Sequence, residues 1–305
     1  MKRFLYPFLI GLFCFFSFVS QTGAFELPKK KAISLKRVGK IKFGPIDESS
    51  GLVRSRLWPE WMWTHNDSGD APRIFAVSKN GSIIKPDWYE KTYEGIVIPD
   101  AVNIDWEDIA TDDNGYLIIG AFGNNSNDRR DLAVYLVPEP NPTNQIATGT
   151  FQKIAFRYPD QTEFPPEKNI FDCEALFFAR GKIYLLTKHR ADTFTTLYRF
   201  DTLNSDTLNI LTLLDTFDIK GQVTAADASE DGSKLAVLTY NHVWLFETDS
   251  AKDDYFRGNI SWAPLNKFSS KQCESICFWD NNLILGNEQR DLFEIKPSEL
   301  YKLHP

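Results

Sequence analysis

The chain has 305 residues, of which 43% are hydrophobic and 25% charged, enough for one large domain or two small ones with a proper core. Its 16 Pro and 17 Gly are ordinary numbers, which excludes collagen-like and low-complexity classes. The net charge of −7, with no basic run beyond Lys29–Lys31, argues against binding nucleic acid through its phosphates. We therefore expect no nucleic-acid partner.

The first 24 residues have the layout of a secretory signal peptide. Two basic residues precede an almost wholly apolar run over residues 4–20, and Thr22 and Ala24 lie at the −3 and −1 positions of a possible cut. We expect cleavage after Ala24 and an exported protein, periplasmic or secreted, with no membrane contact after cleavage. The alternative is an uncleaved N-terminal anchor, which the three lysines close behind the run would favour.

Three cysteines remain beyond this segment, namely Cys173, Cys273 and Cys277. An odd and sparse set of this kind is not a disulfide framework, even in an exported protein. We predict that all three are buried free thiols on apolar strands.

Five similar segments recur along the rest of the chain, and each opens a short apolar run. We call their equivalent positions the repeat anchors, and these are Ser50, Glu107, Glu174, Thr224 and Glu274, spaced by 57, 67, 50 and 50 residues. A turn is predicted after each anchor, at Trp58–Pro59, Asn114–Gly115, Arg180–Gly181, Asp231–Gly232 and Asn281–Asn282. A second and a third apolar run follow each turn, commonly with the period of two that is typical of strands.

A four-stranded unit of about 50 residues repeated around an axis predicts a β-propeller. We predict an all-β fold of five blades with about four strands each, forming a single domain over residues 32–298. Six blades are the alternative, because the 67-residue interval could contain an extra unit. The last repeat has only three strands, so we expect the strand-like segment 32–43 to supply its outer strand and close the ring.

This topology gathers polar side chains at one mouth of the propeller. Each anchor starts the first strand of a blade and a polar loop follows the second strand, so both lie at the same face. Functional residues on a propeller usually lie in such loops. The candidate ligand-binding residues are His65, Asn66, Asp67, Asn124, Lys188, His189, Arg190 and Asn287.

Three of the anchors, Glu107, Glu174 and Glu274, are glutamates directed toward one axis. Unpaired carboxylates brought together raise one another's pKa, so a neutralising partner is expected. The alternatives are pairing with Lys188 and Arg190, a divalent ion held by the three glutamates, or a catalytic carboxylate pair. Calcium is the favoured ion because it takes about six to eight oxygen ligands, whereas no His or Cys spacing forms a tetrahedral zinc set.

These features predict an exported propeller that binds a small polar or saccharide-like ligand, or a partner, at an acidic mouth, with calcium as the candidate cofactor. One alternative is a metal-assisted hydrolase of lactones, esters or phosphoesters, in which Glu107 or His189 moves protons. The other is a scaffold that binds a protein partner. We expect a monomer in each case.

Four motifs within the repeats are distinctive: Trp63–Asp70 (WTHNDSGD), Asp105–Ala110 (DWEDIA), Asp172–Leu176 (DCEAL) and Val223–Asp227 (VTAAD). Through these motifs the chain resembles a family of exported bacterial β-propellers of unassigned function, which implies a fold and little chemistry. More distantly, the layout is similar to the gluconolactonase and paraoxonase propellers, which hold an axial calcium with Glu, Asn and Asp but have six blades. Arabinanase-like glycosidases have five blades and three axial acids, but the first anchor here is Ser50.

Overall fold

The computed structural model describes residues 25–89, 91–248 and 253–303. The predicted signal peptide lies outside the described residues. The described strands form five small sheets, and the innermost strands of these sheets contact one another in a closed ring. The predicted five-bladed all-β architecture is therefore confirmed, and the six-bladed alternative is wrong.

The strands are numbered β1 to β23 in chain order, and each blade begins with its innermost strand. Blade one contains β2 (Ser49–Arg54), β3 (Trp61–Asn66), β4 (Arg73–Ser78), β5 (Ile83–Ile84) and β6 (Ile96–Val97). Blade two contains β7 (Ile109–Thr111), β8 (Tyr116–Ala121), β9 (Ala133–Pro138), β10 (Gln152–Arg157) and β14 (Asn209–Ile210). Blade three contains β11 (Asp172–Ala179), β12 (Lys182–Lys188), β13 (Phe194–Arg199) and β15 (Thr212–Asp218).

The last two blades include strands from both ends of the described chain. Blade four contains β16 (Val223–Ala228), β17 (Lys234–Thr239), β18 (His242–Glu247), β19 (Asn259–Pro264) and β23 (Tyr301–Leu303). Blade five contains β20 (Cys273–Trp279), β21 (Asn282–Asn287), β22 (Asp291–Ile295) and β1 (Lys36–Lys40). The helices of the described chain are α1 (Lys267–Ser270) and two 3-10 turns, Tyr255–Arg257 and Pro297–Glu299. None of the described helices is long and apolar enough to span a membrane.

The N-terminal strand closes the ring as predicted. β1 runs antiparallel to β22, with Lys36 opposite Glu294 and Lys40 opposite Asp291. The predicted segment 32–43 therefore supplies the outer strand of blade five. This pairing covers an edge that would otherwise expose its backbone N–H and C=O groups.

Three local features differ from the sequence-based expectation. β14 pairs in parallel with β10, and β23 pairs with β19, so blades two and four each gain a strand that the repeat pattern does not contain. The turn of blade five lies at Asp280 and Asn281, one residue earlier than predicted. Asp280 adopts the left-handed backbone with φ 52°, a conformation that Asp tolerates better than most residues.

Apolar side chains fill the five spaces between neighbouring blades. Each space holds one cluster of buried residues drawn mainly from the two flanking sheets, for example Trp63 of blade one with the fully buried Trp106. Cys173, Cys273 and Cys277 lie within these clusters as buried free thiols, as predicted. Each blade therefore depends on its neighbours for its core.

The repeat anchors coincide with β-bulges in three blades. In blade three, Cys173 lies opposite Thr187 and Ala175 lies opposite Leu186, so Glu174 is the extra residue. The register shifts in the same way at Thr224 and at Glu274. Because a bulge redirects a side chain without ending the strand, the anchor side chain can leave the blade's own packing while its neighbours remain in the core.

Asp108 connects three blades at the centre of the ring. Its carboxylate accepts backbone N–H groups from Ile109 at 2.9 Å, from Leu176 at 3.0 Å and from Ala226 at 3.2 Å. The side chain is fully buried, and burial raises the pKa of Asp108 well above its ordinary value, while the three backbone donors oppose that rise. A single side chain thus satisfies donors of blades two, three and four.

Replacing Asp108 with Ala should destabilise the whole propeller. The change leaves three buried backbone N–H groups without their acceptor, and we expect the free energy of unfolding to fall by about 2–4 kcal/mol. Urea unfolding followed by tryptophan fluorescence measures this loss. Asp206→Ala, at an exposed loop position, is the matched control, and an Asp108→Ala midpoint equal to that of the control would contradict the connecting role.

Candidate functional site

Three carboxylates meet at the mouth where the first strand of each blade begins. Asp67 follows β3, whereas Asp105 and Glu107 precede β7, and one oxygen from each lies within 4.8 Å of the other two. We call this set the Asp67–Asp105–Glu107 cluster. Glu107 is buried, and the other two residues are half-buried.

The backbone around Gly123 makes room for this cluster. The Gly123 N–H donates to the Asp105 carbonyl at 3.2 Å, and the Glu107 N–H donates to the Gly120 carbonyl at 3.0 Å. A Cβ atom on Gly123 would collide with the carboxyl groups of both Asp105 and Glu107. A residue with no side chain is therefore needed at position 123 for the two acids to lie side by side.

Burial and mutual repulsion dominate the electrostatics of the cluster. Burial raises the pKa of Glu107 well above its ordinary value, and the charges of Glu174, Asp67 and Asp105 raise it further. Burial also raises the pKa of Asp105 to about 6; the charge of Asp67 adds to this rise, while Arg129 and a hydrogen bond with Glu107 oppose it. In the described part of the chain, no Lys, Arg or His nitrogen lies within ion-pair distance of these three carboxylates.

The acids of blade three, in contrast, have cationic partners. Lys188 Nζ lies 2.8 Å from Glu174 Oε1, and Arg190 lies 2.7 Å from Asp172 and 3.4 Å from Glu174. Burial raises the pKa of Glu174 to about 8, and Lys188 limits the rise. Burial alone would lower the pKa of Lys188, but Glu174 outweighs it and the pKa lies above the ordinary value. The predicted internal pairing therefore occurs in this blade.

A chain of hydrogen bonds extends from Lys188 to blade five. Lys188 Nζ donates to the Tyr240 hydroxyl at 3.1 Å, and this hydroxyl donates to Glu274 Oε1 at 3.2 Å. Burial raises the pKa of Glu274 to about 7, Glu288 adds to the rise and Lys188 opposes it. The three glutamate anchors thus have different neighbours: acids for Glu107, cations for Glu174 and a tyrosine for Glu274.

The three asparagines predicted as ligand-binding residues hold their own loops together. Asn66 donates to the Pro45 carbonyl at 2.8 Å and to Asp70 at 2.7 Å. Asn124 accepts the Arg129 N–H at 3.0 Å. Asn287 donates to the Ser270 carbonyl at 3.1 Å and accepts the Asp291 N–H at 2.9 Å. These side chains stabilise the loops after β3, β8 and β21 and so fix the shape of the mouth.

The two histidines in the predicted set are both buried. His65 donates from Nδ1 to the Asn66 carbonyl at 2.9 Å and contacts Trp106 edge to face. His189 contacts Asp192 at 2.7 Å through Nδ1 and Thr196 at 3.2 Å through Nε2. Burial lowers the pKa of both imidazoles. Because both nitrogens of His189 are engaged within its own blade, neither is free to move a proton at the mouth.

The rim of the mouth exposes large apolar side chains. Val102 and Ile104, in the segment before β7, are 58% and 52% exposed, and Phe268, in the segment before β20, is 95% exposed. Both segments lead into inner strands and so lie at the anchor face. These exposed apolar side chains therefore lie on the same face of the propeller as the acidic cluster.

Sequence reasoning did not select Asp105, Gly123 or Tyr240 as site residues. Asp105 was detectable, because residues two apart in an extended segment share a face and Asp105 precedes Glu107 by two. Tyr240 carries no such signal, since it connects Lys188 of blade three with Glu274 of blade five. The role of Gly123 depends on the close approach of two segments within blade two, which spacing along the chain does not indicate.

The comparisons with known proteins add no assignment. No protein-family model matches the sequence, and no curated protein sequence matches it either. Among solved structures, the chain is similar to a structural genomics protein of unknown function from Bacteroides thetaiotaomicron VPI-5482, with 9% identity over 85% of this chain and 74% of that chain and a TM-score of 0.41. The resemblance to calcium-dependent propellers stays a prediction.

Glu274 should make the stability of the protein fall as the pH rises. Its pKa is about 7 in the folded state and its ordinary value is 4.5, so between these values the folded state holds a proton that the unfolded state releases. We expect Glu274→Gln to stabilise the protein at pH 8 by about 2 kcal/mol, and this gain to shrink toward pH 5. Denaturant unfolding from pH 5 to 8 in a chelator measures it. A gain independent of pH, or an equal gain in exposed Glu60→Gln, would count against this assignment.

Proposed function

We propose that this propeller binds a calcium ion at its mouth through Asp67, Asp105 and Glu107, and that the mouth then binds a small polar or saccharide-like ligand. The observation that carries the proposal is the contrast between blades. The acids of blade three have Lys188 and Arg190 within ion-pair distance, whereas the cluster has no such partner among the described residues.

The chemistry of the donor set supports calcium over other common ions. Three carboxylates supply hard oxygen ligands, which calcium accepts in flexible geometry, while the cluster contains no imidazole or thiolate of the kind that zinc prefers. The sequence-based ligand set of Glu107, Glu174 and Glu274 shares Glu107 with this cluster. We favour the cluster because Glu174 already has a lysine at 2.8 Å.

A bound cation would also reverse the effect of burial on Glu107. The raised pKa of Glu107 favours its protonated form, and a cation among the carboxylates would favour the ionised form. Binding should therefore release protons and strengthen as the pH rises. The hydrolase alternative needs Glu107 or His189 to move protons. His189 has both nitrogens engaged, and in this proposal Glu107 is a ligand of the ion. Binding is the function that the geometry supports best.

The proposal places the protein outside the cytoplasm, as a monomer. Its support is the sequence of residues 1–24, which has the layout of a signal peptide, and the availability of millimolar calcium in extracellular settings fits a carboxylate site of moderate affinity. A protein partner in place of the small ligand is the alternative occupant of the mouth.

Calcium should raise the thermal stability of the chain that begins at residue 25. An ion that binds only the folded state stabilises it by roughly 2.7 kcal/mol at about 100 times its Kd. We expect Glu107→Gln to abolish most of the difference between melting in calcium and melting in a chelator, and the difference to be larger at pH 8 than at pH 6. Differential scanning calorimetry measures both.

Two further variants make this experiment discriminating. Glu60→Gln removes an exposed acid and should leave the calcium effect unchanged. Glu174→Gln tests the ligand set, because loss of the calcium effect in this variant would favour the three glutamate anchors over the Asp67–Asp105–Glu107 cluster. Identical melting of the unmodified protein in calcium and in chelator would contradict a calcium site altogether.

A further inference from the structure

A small pocket lies on blade two, where the loop after β8 meets the segment after β10. It has a volume of about 150 Å³, and its charged lining residues are three arginines, Arg129, Arg130 and Arg157. No acidic side chain of the described chain lines it. The pocket is therefore locally cationic in a protein whose net charge is −7.

The arginines differ in how firmly they are held. Arg129 is fixed, because its Nε contacts Asp131 at 3.0 Å and its Nη1 donates to the Gly123 carbonyl at 2.6 Å. Arg130 lies 4.0 Å from the centre of the Phe164 ring, a cation–π contact that leaves the guanidinium N–H groups at its edge available. Within the described ranges, neither Arg130 nor Arg157 has a carboxylate within ion-pair distance.

The remaining walls combine an apolar floor with one fixed polar group. Leu132 and Phe156 are buried, and Leu208 is 52% exposed at the edge. Gln161 is 97% buried, and its amide is oriented by a hydrogen bond from Nε2 to the Asn127 carbonyl at 2.9 Å. Guanidinium groups above an apolar floor suit a ligand that has an anionic head and an apolar body.

We propose that this arginine pocket binds a small organic anion, a phosphate monoester or carboxylate attached to an aromatic or apolar group. Arg130 and Arg157 donate to the anionic oxygens, with Arg129 adding its positive charge, and Phe164 and Leu208 contact the apolar body. Pockets that enclose a whole drug-sized ligand have volumes of roughly 300–1,000 Å³, and this pocket is smaller. It therefore encloses the head and the first ring and leaves the remainder in solvent.

Phenyl phosphate tests the proposal by isothermal titration calorimetry at low ionic strength and pH 8, in a phosphate-free buffer. We expect saturable binding that weakens as salt is added, since exposed charge pairs are screened. Arg130→Gln and Arg157→Gln should each weaken binding about tenfold or more, because each removes charged hydrogen bonds to the head group. Both positions are exposed, so the fold should tolerate the changes.

Two controls separate this pocket from general attraction between charges. Arg257→Gln removes the same charge from a side chain that is 61% exposed on blade four and should leave the affinity unchanged. Phenyl β-glucoside, which keeps the ring without the charge, should not bind measurably. The proposal is overturned if phenyl phosphate does not bind at millimolar concentration, if Arg257→Gln weakens binding as much as Arg130→Gln, or if the neutral glucoside binds equally well.

Discussion

The five inner strands surround the central axis, and the space along this axis is too narrow for another strand. The backbone N–H and C=O groups that face the axis therefore need side chains as hydrogen-bond partners. Asp108 accepts N–H groups from blades three and four, and Asp227 accepts the Phe278 N–H of blade five at 2.8 Å. Each of these carboxylates replaces hydrogen bonds that a flat sheet would obtain from an adjacent strand. They hold the inner strands in register with one another, and the geometry of the mouth depends on that register.

The side chains at the five anchor positions have two different roles. Ser50 donates to the Glu107 carbonyl at 2.9 Å and Thr224 donates to the Cys273 carbonyl at 3.0 Å, so both hydroxyls bond the next blade. At Glu107, Glu174 and Glu274 the carboxylate instead lies at the mouth. One repeat position thus provides inter-blade bonds in two blades and acidic side chains in the other three.

The sequence predicts the repeat well because strand periodicity and turn residues are local properties of the chain. The blade count, the closing strand and the buried cysteines follow from that pattern. Which acid pairs with which cation is not local: Lys188 contacts Glu174 of its own blade but also Tyr240 of the next, and spacing along the chain does not indicate this. Asp105 joins Asp67 only because blades one and two are adjacent. The sequence therefore places the anchors at one mouth of the propeller, but it does not indicate which of the acids have a cationic partner.

Arg129 and Gly123 mark the boundary between two regions of opposite charge. The guanidinium of Arg129 donates to the Gly123 carbonyl on one side and lines the arginine pocket on the other, while the space beside Gly123 holds Asp105 and Glu107. Arg129 opposes the rise in the pKa of Asp105 from a distance, without an ion pair that would neutralise it. Its own ion pair is with Asp131 at 3.0 Å and not with an acid of the cluster. The acids therefore stay close together and lack a direct counter-charge, even though an arginine belongs to the same loop.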